Sequence, residues 1–147
     1  MATVIPTTTP HMGQLLGMVK ARLTDELHRR LDAAGYTDIR PVHGPVFHHL
    51  TPEGLRLSQL AELSRMTKQA MAEHVLELEG LGYLIRVPDA ADGRAKLIQP
   101  TDKSLAAMAV ARDALHDIEV DWGMALGERR VAQMRDTLEA IRAMYDR

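Results

Sequence analysis

Residues 64–101, "SRMTKQAMAEHVLELEGLGYLIRVPDAADGRAKLIQPT", change periodicity halfway along. In the first half Met71, Val75 and Leu78 recur at spacings of four and three, which predicts an amphipathic helix. Thr67 stands in front of it as an N-cap, and Gly80–Leu81–Gly82 marks its end. In the second half "YLIRV" reads as a strand and "PDAADGR" as a turn with an Asp–Gly signal. "AKLIQP" is then the return strand, closed by Pro100, which cannot donate to a ladder. A hairpin tipped by Asp92, Gly93 and Arg94 is therefore expected beside a helix opening with Thr67, Lys68 and Gln69.

Outward from this stretch the chain reads as helices. Leu15, Val19, Leu23, Leu27 and Leu31 recur every four residues and predict a long first helix, capped at Thr9–Pro10 and ending near Gly35. Pro41 opens a second helix, in which Pro45 implies a kink or a late start. Ser58 is expected to cap a short third helix, "QLAEL", with Leu57, Leu60, Ala61 and Leu63 available for packing. Thr101 caps a fifth helix running to about Gly123. The last helix carries Val131, Met134, Leu138, Ile141 and Tyr145 at alternating spacings of three and four, the pattern of a coiled-coil seam. The fold class is mainly α, with about six helices and a small β-hairpin.

Composition narrows the class. A chain of 147 residues suits one domain, 46% hydrophobic and 26% charged are ordinary globular values, and only 3% aromatics favours helix packing over a β-sandwich. Apolar runs are too short for a membrane span, and "MATVIPTTTPHMG" lacks the basic and apolar blocks of a signal peptide, so a cytoplasmic protein is expected. The absence of cysteine excludes disulfides, thiolate metal sites and thiol switches. With no Gly-rich phosphate loop, Ser-centred elbow or Cys nucleophile, an enzyme is not expected, and no cofactor is nominated.

A short helix, a tight turn and a second helix form a helix-turn-helix. Lys68 and Gln69 at the start of the second helix suit the DNA major groove: Gln can bond an adenine edge bidentately, and Lys can reach guanine or a phosphate. Small Ala72 would permit close approach, and Glu73 either reads a cytosine amino group or opposes binding. Arg94 on the hairpin suits a narrow, negative minor groove, and Asp92 could orient it by a charge-assisted bond. Arg65, Lys96 and Ser58 are candidate phosphate contacts. Residues 54–104 carry seven basic and seven acidic residues, so the sum of charge is uninformative and its distribution decides. A winged helix used for protein contacts is the alternative.

These residues together resemble the MarR (multiple-antibiotic-resistance regulator) family. The resemblance rests on "TKQAM", on the "LE-x-LGYL-x-R" run ending at Arg86, and on "D-x-R" at Asp92 and Arg94 followed by a hydrophobic strand and Thr101. Pro100, Ser104 and His74 depart from the usual pattern. The resemblance implies one domain over residues 1–147, with residues 41–101 as a winged helix-turn-helix lobe and residues 10–35 and 102–147 as dimerisation helices. It implies a symmetric homodimer through Leu15, Val19, Val131, Met134, Leu138, Ile141 and Tyr145, binding pseudo-palindromic double-stranded DNA as a repressor. It further implies a small aromatic or phenolic effector near His43, Phe47, Met66 and Trp122. Ordinary core packing is the competing reading of those four. His43, His48 and His49 are poorly spaced for one metal, since adjacent helical residues point about 100° apart.

Overall fold

The computed structural model describes residues 9–146. Helix α1 spans Met12–Ala33, and a 3-10 turn at Pro41–His43 leads into α2, Gly44–His49. Helices α3 (Leu57–Leu63) and α4 (Lys68–Gly80) precede the strands β1 (Leu84–Asp89) and β2 (Asp92–Pro100). Two long helices follow, α5 (Asp102–Leu126) and α6 (Glu128–Tyr145). The fold is thus mainly α, with six α-helices and one hairpin among the described residues, as the sequence pattern implied.

Several boundaries moved, each for a local reason. Helix α1 is capped by His11 and not at Thr9–Pro10: the Gln14 amide donates to His11 Nδ1 (3.3 Å) and the His11 amide to Gln14 Oε1 (3.2 Å). That reciprocal pair satisfies two donors at once. Pro45 lies in the first turn of α2, where no amide is needed, so the helix starts late and is not kinked. Ser58 does not cap α3; Arg56 holds that position, and its amide donates to Gln59 Oε1 (2.9 Å). Helix α5 runs beyond Gly123 to Leu126 and stops at Gly127, whose φ is +101°. The caps expected at Thr67 and Thr101 are present.

The core forms where α2, α3, α4, the hairpin and the start of α5 converge. Val46, Leu60, Met71, Val75, Leu78 and Tyr83 are fully buried there, with Ala61, Leu84, Ile98 and Ala107 close behind. The Tyr83 hydroxyl donates to Asp38 (2.5 Å), the Lys103 ammonium lies 4.1 Å from the Tyr83 ring centre, and Phe47 meets that ring edge-on. Burial and the neighbouring Asp38 carboxylate push the Tyr83 hydroxyl pKa up, while accepting that bond holds Asp38 below the usual carboxylate range. Strands β1 and β2 are antiparallel, and Leu55 pairs with Ile98 across the other edge of β2. That approach requires Gly54: its φ is +88°, and a Cβ there would sit 2.8 Å from the Ile98 carbonyl oxygen.

The terminal helices differ. Helix α6 packs on α5 and buries none of its own residues, and α1 buries only Leu31. Among the described residues no helix is long and apolar enough to cross a membrane.

Candidate nucleic-acid interface

The turn from α3 to α4 is set by a strained residue. The Arg65 amide donates to the Glu62 carbonyl (3.0 Å) and the Met66 amide to the Ala61 carbonyl (2.9 Å), the paired bonds of a Schellman motif. The same pattern ends α1 and α4, where glycines occupy the left-handed position, Gly35 at φ +94° and Gly82 at φ +82°. After α3 that position is Arg65, at φ +53°, the one non-glycine residue with positive φ among the described residues. A side chain there costs on the order of 1 kcal/mol. The motif leaves Arg65 exposed at the corner just before α4.

Helix α4 begins with Thr67, whose hydroxyl accepts from the Ala70 amide (3.1 Å). Met71, Val75 and Leu78 fix its inner face, leaving Lys68, Gln69 and Glu73 exposed. Ala72 is half-buried, so it is less open than the sequence pattern implied. Ser58 is exposed on the first turn of α3.

In the hairpin the turn falls at Ala90–Ala91, not at Asp92–Arg94, which instead open β2. The cause is Asp89, whose carboxylate accepts from the Ala91 amide (2.9 Å) and closes the turn two residues early. Asp92 accepts from the Arg94 backbone amide (3.1 Å), so it shapes the chain at Arg94 without pairing with its guanidinium. Arg94 and Lys96 are exposed on the same strand, two residues apart and so on one face of it.

Charge on this part of the molecule is sorted by ion pairing. Arg40 binds Glu77 (2.6 Å), Arg56 binds Asp89 (2.5 Å) and Arg86 binds Glu79 (2.8 Å). Arg65, Lys68, Arg94 and Lys96 take part in no ion pair among the described residues. The even charge sum thus separates into ion pairs, four uncommitted cations at α4 and the wing, and the acids Glu62, Glu73 and Asp102, which take part in no ion pair among the described residues. Arg56 and Asp89, which complete this separation, were not singled out from the sequence; only the Asp at the start of the turn was a signal.

The other expected groupings are less concentrated. His43 is fully buried, its Nδ1 accepting from the Arg40 amide (3.1 Å) and its Nε2 bonded to Glu77 (3.0 Å). Phe47 and Met66 pack against the main core, whereas Trp122 lies outside that cluster on α5. Surface clefts occur elsewhere, between α5 and α6 beside His116 and Arg135, and along α1 beside Gln14 and Met18. The His48 and His49 rings meet edge-on at 4.8 Å, and among the described residues no group of His, Asp or Glu is arranged to hold a metal. Leu15, Val19, Met134, Leu138, Ile141 and Tyr145 are exposed, and Val131 is half-buried against the α5–α6 cleft.

A helix-turn-helix flanked by a two-stranded hairpin defines a winged-helix fold. Residues 37–95 match the model of the MarR family, and the chain has the winged-helix fold of solved MarR family structures. Solved structures of similar fold include apo wild-type MarR from E. coli (TM-score 0.72, 18% identity, 91% of this chain and 98% of that one). The S. aureus MepR–DNA complex is similar at TM-score 0.70, 19% identity and coverage of 92% and 98%. CouR from Rhodococcus jostii RHA1, bound to p-coumaroyl-CoA, is similar at 0.70, 24% identity and coverage of 93% and 95%. A curated protein from Synechococcus sp. (strain WH7803), a 2-C-methyl-D-erythritol 4-phosphate cytidylyltransferase, is 28% identical over 98 residues. That stretch is 65% of this chain and only 44% of the cytidylyltransferase, so the chain spans less than half the length of this relative.

Proposed function

We propose that the chain is a MarR family transcription regulator, a non-enzymatic, cytoplasmic homodimer that represses transcription from pseudo-palindromic operators. The observation that carries its DNA contact is the charge sorting: Arg65, Lys68, Arg94 and Lys96 are unpaired while their neighbouring cations are neutralised. Unpaired cations release DNA counterions without first breaking an internal bond. Lys68 and Gln69, with Thr67, Ala72 and Glu73 around them, form the base-reading end of α4. Arg94 enters the minor groove from the wing, Asp92 shapes the chain beneath it, and Arg65, Lys96 and Ser58 hold phosphates.

The chain acts as one domain over residues 1–147, with residues 41–101 on DNA and residues 10–35 and 102–147 between copies. The exposed seam of Met134, Leu138, Ile141 and Tyr145, beside Val131, and the face of Leu15 and Val19 on α1 support a second copy. Two copies place two α4 helices on successive turns of DNA and multiply a modest single-subunit affinity. A small aromatic or phenolic effector near His43, Phe47, Met66 and Trp122 would act by favouring one separation of those helices.

Selection from random duplex oligonucleotides, followed by fluorescence anisotropy over a salt series, tests the reading. A palindromic consensus and a steep fall in affinity with salt are expected. Gln69→Ala should change sequence preference by about 1–3 kcal/mol, and Arg94→Ala should weaken all duplexes alike. Failure to bind any duplex at low salt would leave a protein-interaction module as the better reading.

A further inference from the structure

Beneath the wing lies a charge network that engages the charged group of none of the exposed cations. Arg56 sits at the N-cap of α3, 33 residues before Asp89. Its Nε and Nη2 both donate to Asp89 Oδ2, at 2.8 and 2.5 Å. The other Asp89 oxygen accepts from the Ala91 amide (2.9 Å) inside the hairpin turn. The carboxylate is buried, with 9% of the residue exposed, and these bonds hold its pKa below the usual range, the Ala91 amide contributing most. Asp92 Oδ2 lies 3.9 Å from the same guanidinium, and Asp92 Oδ1 accepts from the Arg94 amide (3.1 Å). Hydrogen bonds to Asp89 and a longer ion-pair contact to Asp92 therefore link the start of α3 to both wing carboxylates, and Asp92 in turn to the backbone of Arg94.

We propose that Arg56 and Asp89 are positioning residues which lock the wing turn to α3 and so set where Arg94 and Lys96 meet DNA. The inference rests on the DNA-binding reading above and adds a role to two residues that contact no DNA themselves. A two-stranded hairpin is marginal alone, and Leu55–Ile98 pairing anchors it well below the turn. The Arg56–Asp89 pair is the tie at the turn end. Spending a lobe cation on a buried carboxylate, while four others stay free, fits a brace better than a phosphate contact.

The experiment is a double-mutant cycle on the full chain, read by anisotropy with a selected duplex and by thermal unfolding. Asp89→Asn removes a negative charge from the DNA-facing lobe, so electrostatics alone would strengthen binding. The brace requires the opposite: weakening of about tenfold, the size of one lost wing contact, at unchanged melting temperature. Arg56→Gln should weaken binding equally, with the double variant no worse than either single one. In an Arg94→Ala, Lys96→Ala background, Asp89→Asn should cost nothing more, because both groups it positions are gone; a general loss of structure would still cost affinity there. Wild-type-like or tighter binding by Asp89→Asn overturns the brace while leaving the DNA-binding reading intact. If the wild type binds no duplex, the DNA-binding reading fails and the brace fails with it.

Discussion

The winged-helix lobe and the terminal helices solve the problem of apolar surface in opposite ways. In the lobe, Leu60, Met71, Val75, Leu78 and Tyr83 disappear completely within one copy. On α1 and α6, Leu15, Val19, Met134, Leu138 and Ile141 each keep about two-fifths or more of their surface exposed. Burial of a Leu or Ile side chain is worth about 1.5–3 kcal/mol, so a repeated seam left open at this scale is costly unless something covers it. The contrast teaches that the lobe is specified by contacts within the chain, while under the proposed homodimer the ends are specified by contacts between chains.

The largest expected effect separates the two regions directly. Leu78→Ala opens a cavity in the packed lobe and should cost about 2–5 kcal/mol, whatever the protein concentration. Ile141→Asp should leave the lobe's own stability nearly unchanged but abolish association. Urea denaturation of each variant at two protein concentrations a hundredfold apart is the check. Wild-type unfolding should shift to higher urea at the higher concentration, and Ile141→Asp should lose that dependence. If wild-type unfolding shows no concentration dependence, the seam is not covered by a second copy.

A finer comparison lies among three helix ends built on one motif. Gly35 and Gly82 occupy the left-handed position without strain, and Arg65 occupies it with strain. Arg65→Gly should therefore leave stability unchanged or raise it by up to about 1 kcal/mol, yet lower the salt dependence of DNA binding by about one unit per subunit. The two readouts move in opposite directions only if Arg65 is retained for its charge. A loss of stability with unchanged DNA affinity would mean the side chain serves the fold alone.

Much of the lobe was legible from local pattern. The apolar stripe of α4, the caps at Thr67 and Thr101 and the two strands all follow from residues within a turn or two of one another. The hairpin turn was misplaced because the Asp92–Gly93 signal is strong locally, while the deciding group, Asp89, acts through its own turn bond and an ion pair with a residue 33 positions away. The cap of α3 failed similarly: Ser58 has the right side chain, but Gln59 reaches back to the Arg56 amide and starts the helix earlier. Charge sorting was invisible to composition, since Arg40, Arg56 and Arg86 look no different in sequence from Arg65 and Arg94 until their partners are placed. At the chain ends the seam periodicity was clear, but periodicity does not say which chain supplies the opposing face.

The smallest effect lies within the terminal helices. Glu26 on α1 accepts from both Arg29 and Arg30, and Arg30 reaches on to Asp121 of α5 (3.1 Å). Hydrogen bonds from Arg29, then Arg30, hold the Glu26 pKa at about 2, below its ordinary value of 4.5. A carboxylate whose pKa is lower in the folded chain contributes stability that is fully present above pH 4.5 and fades as the pH falls towards 2. Glu26→Gln should flatten that part of the acid-denaturation curve and do little at neutral pH, since exposed ion pairs contribute modestly. Added salt should shrink the difference between variant and wild type, because the charges face solvent. A wild-type curve that matches Glu26→Gln between pH 4.5 and 2 would show that the bonds from Arg29 and Arg30 to Glu26 add nothing to the stability of α1.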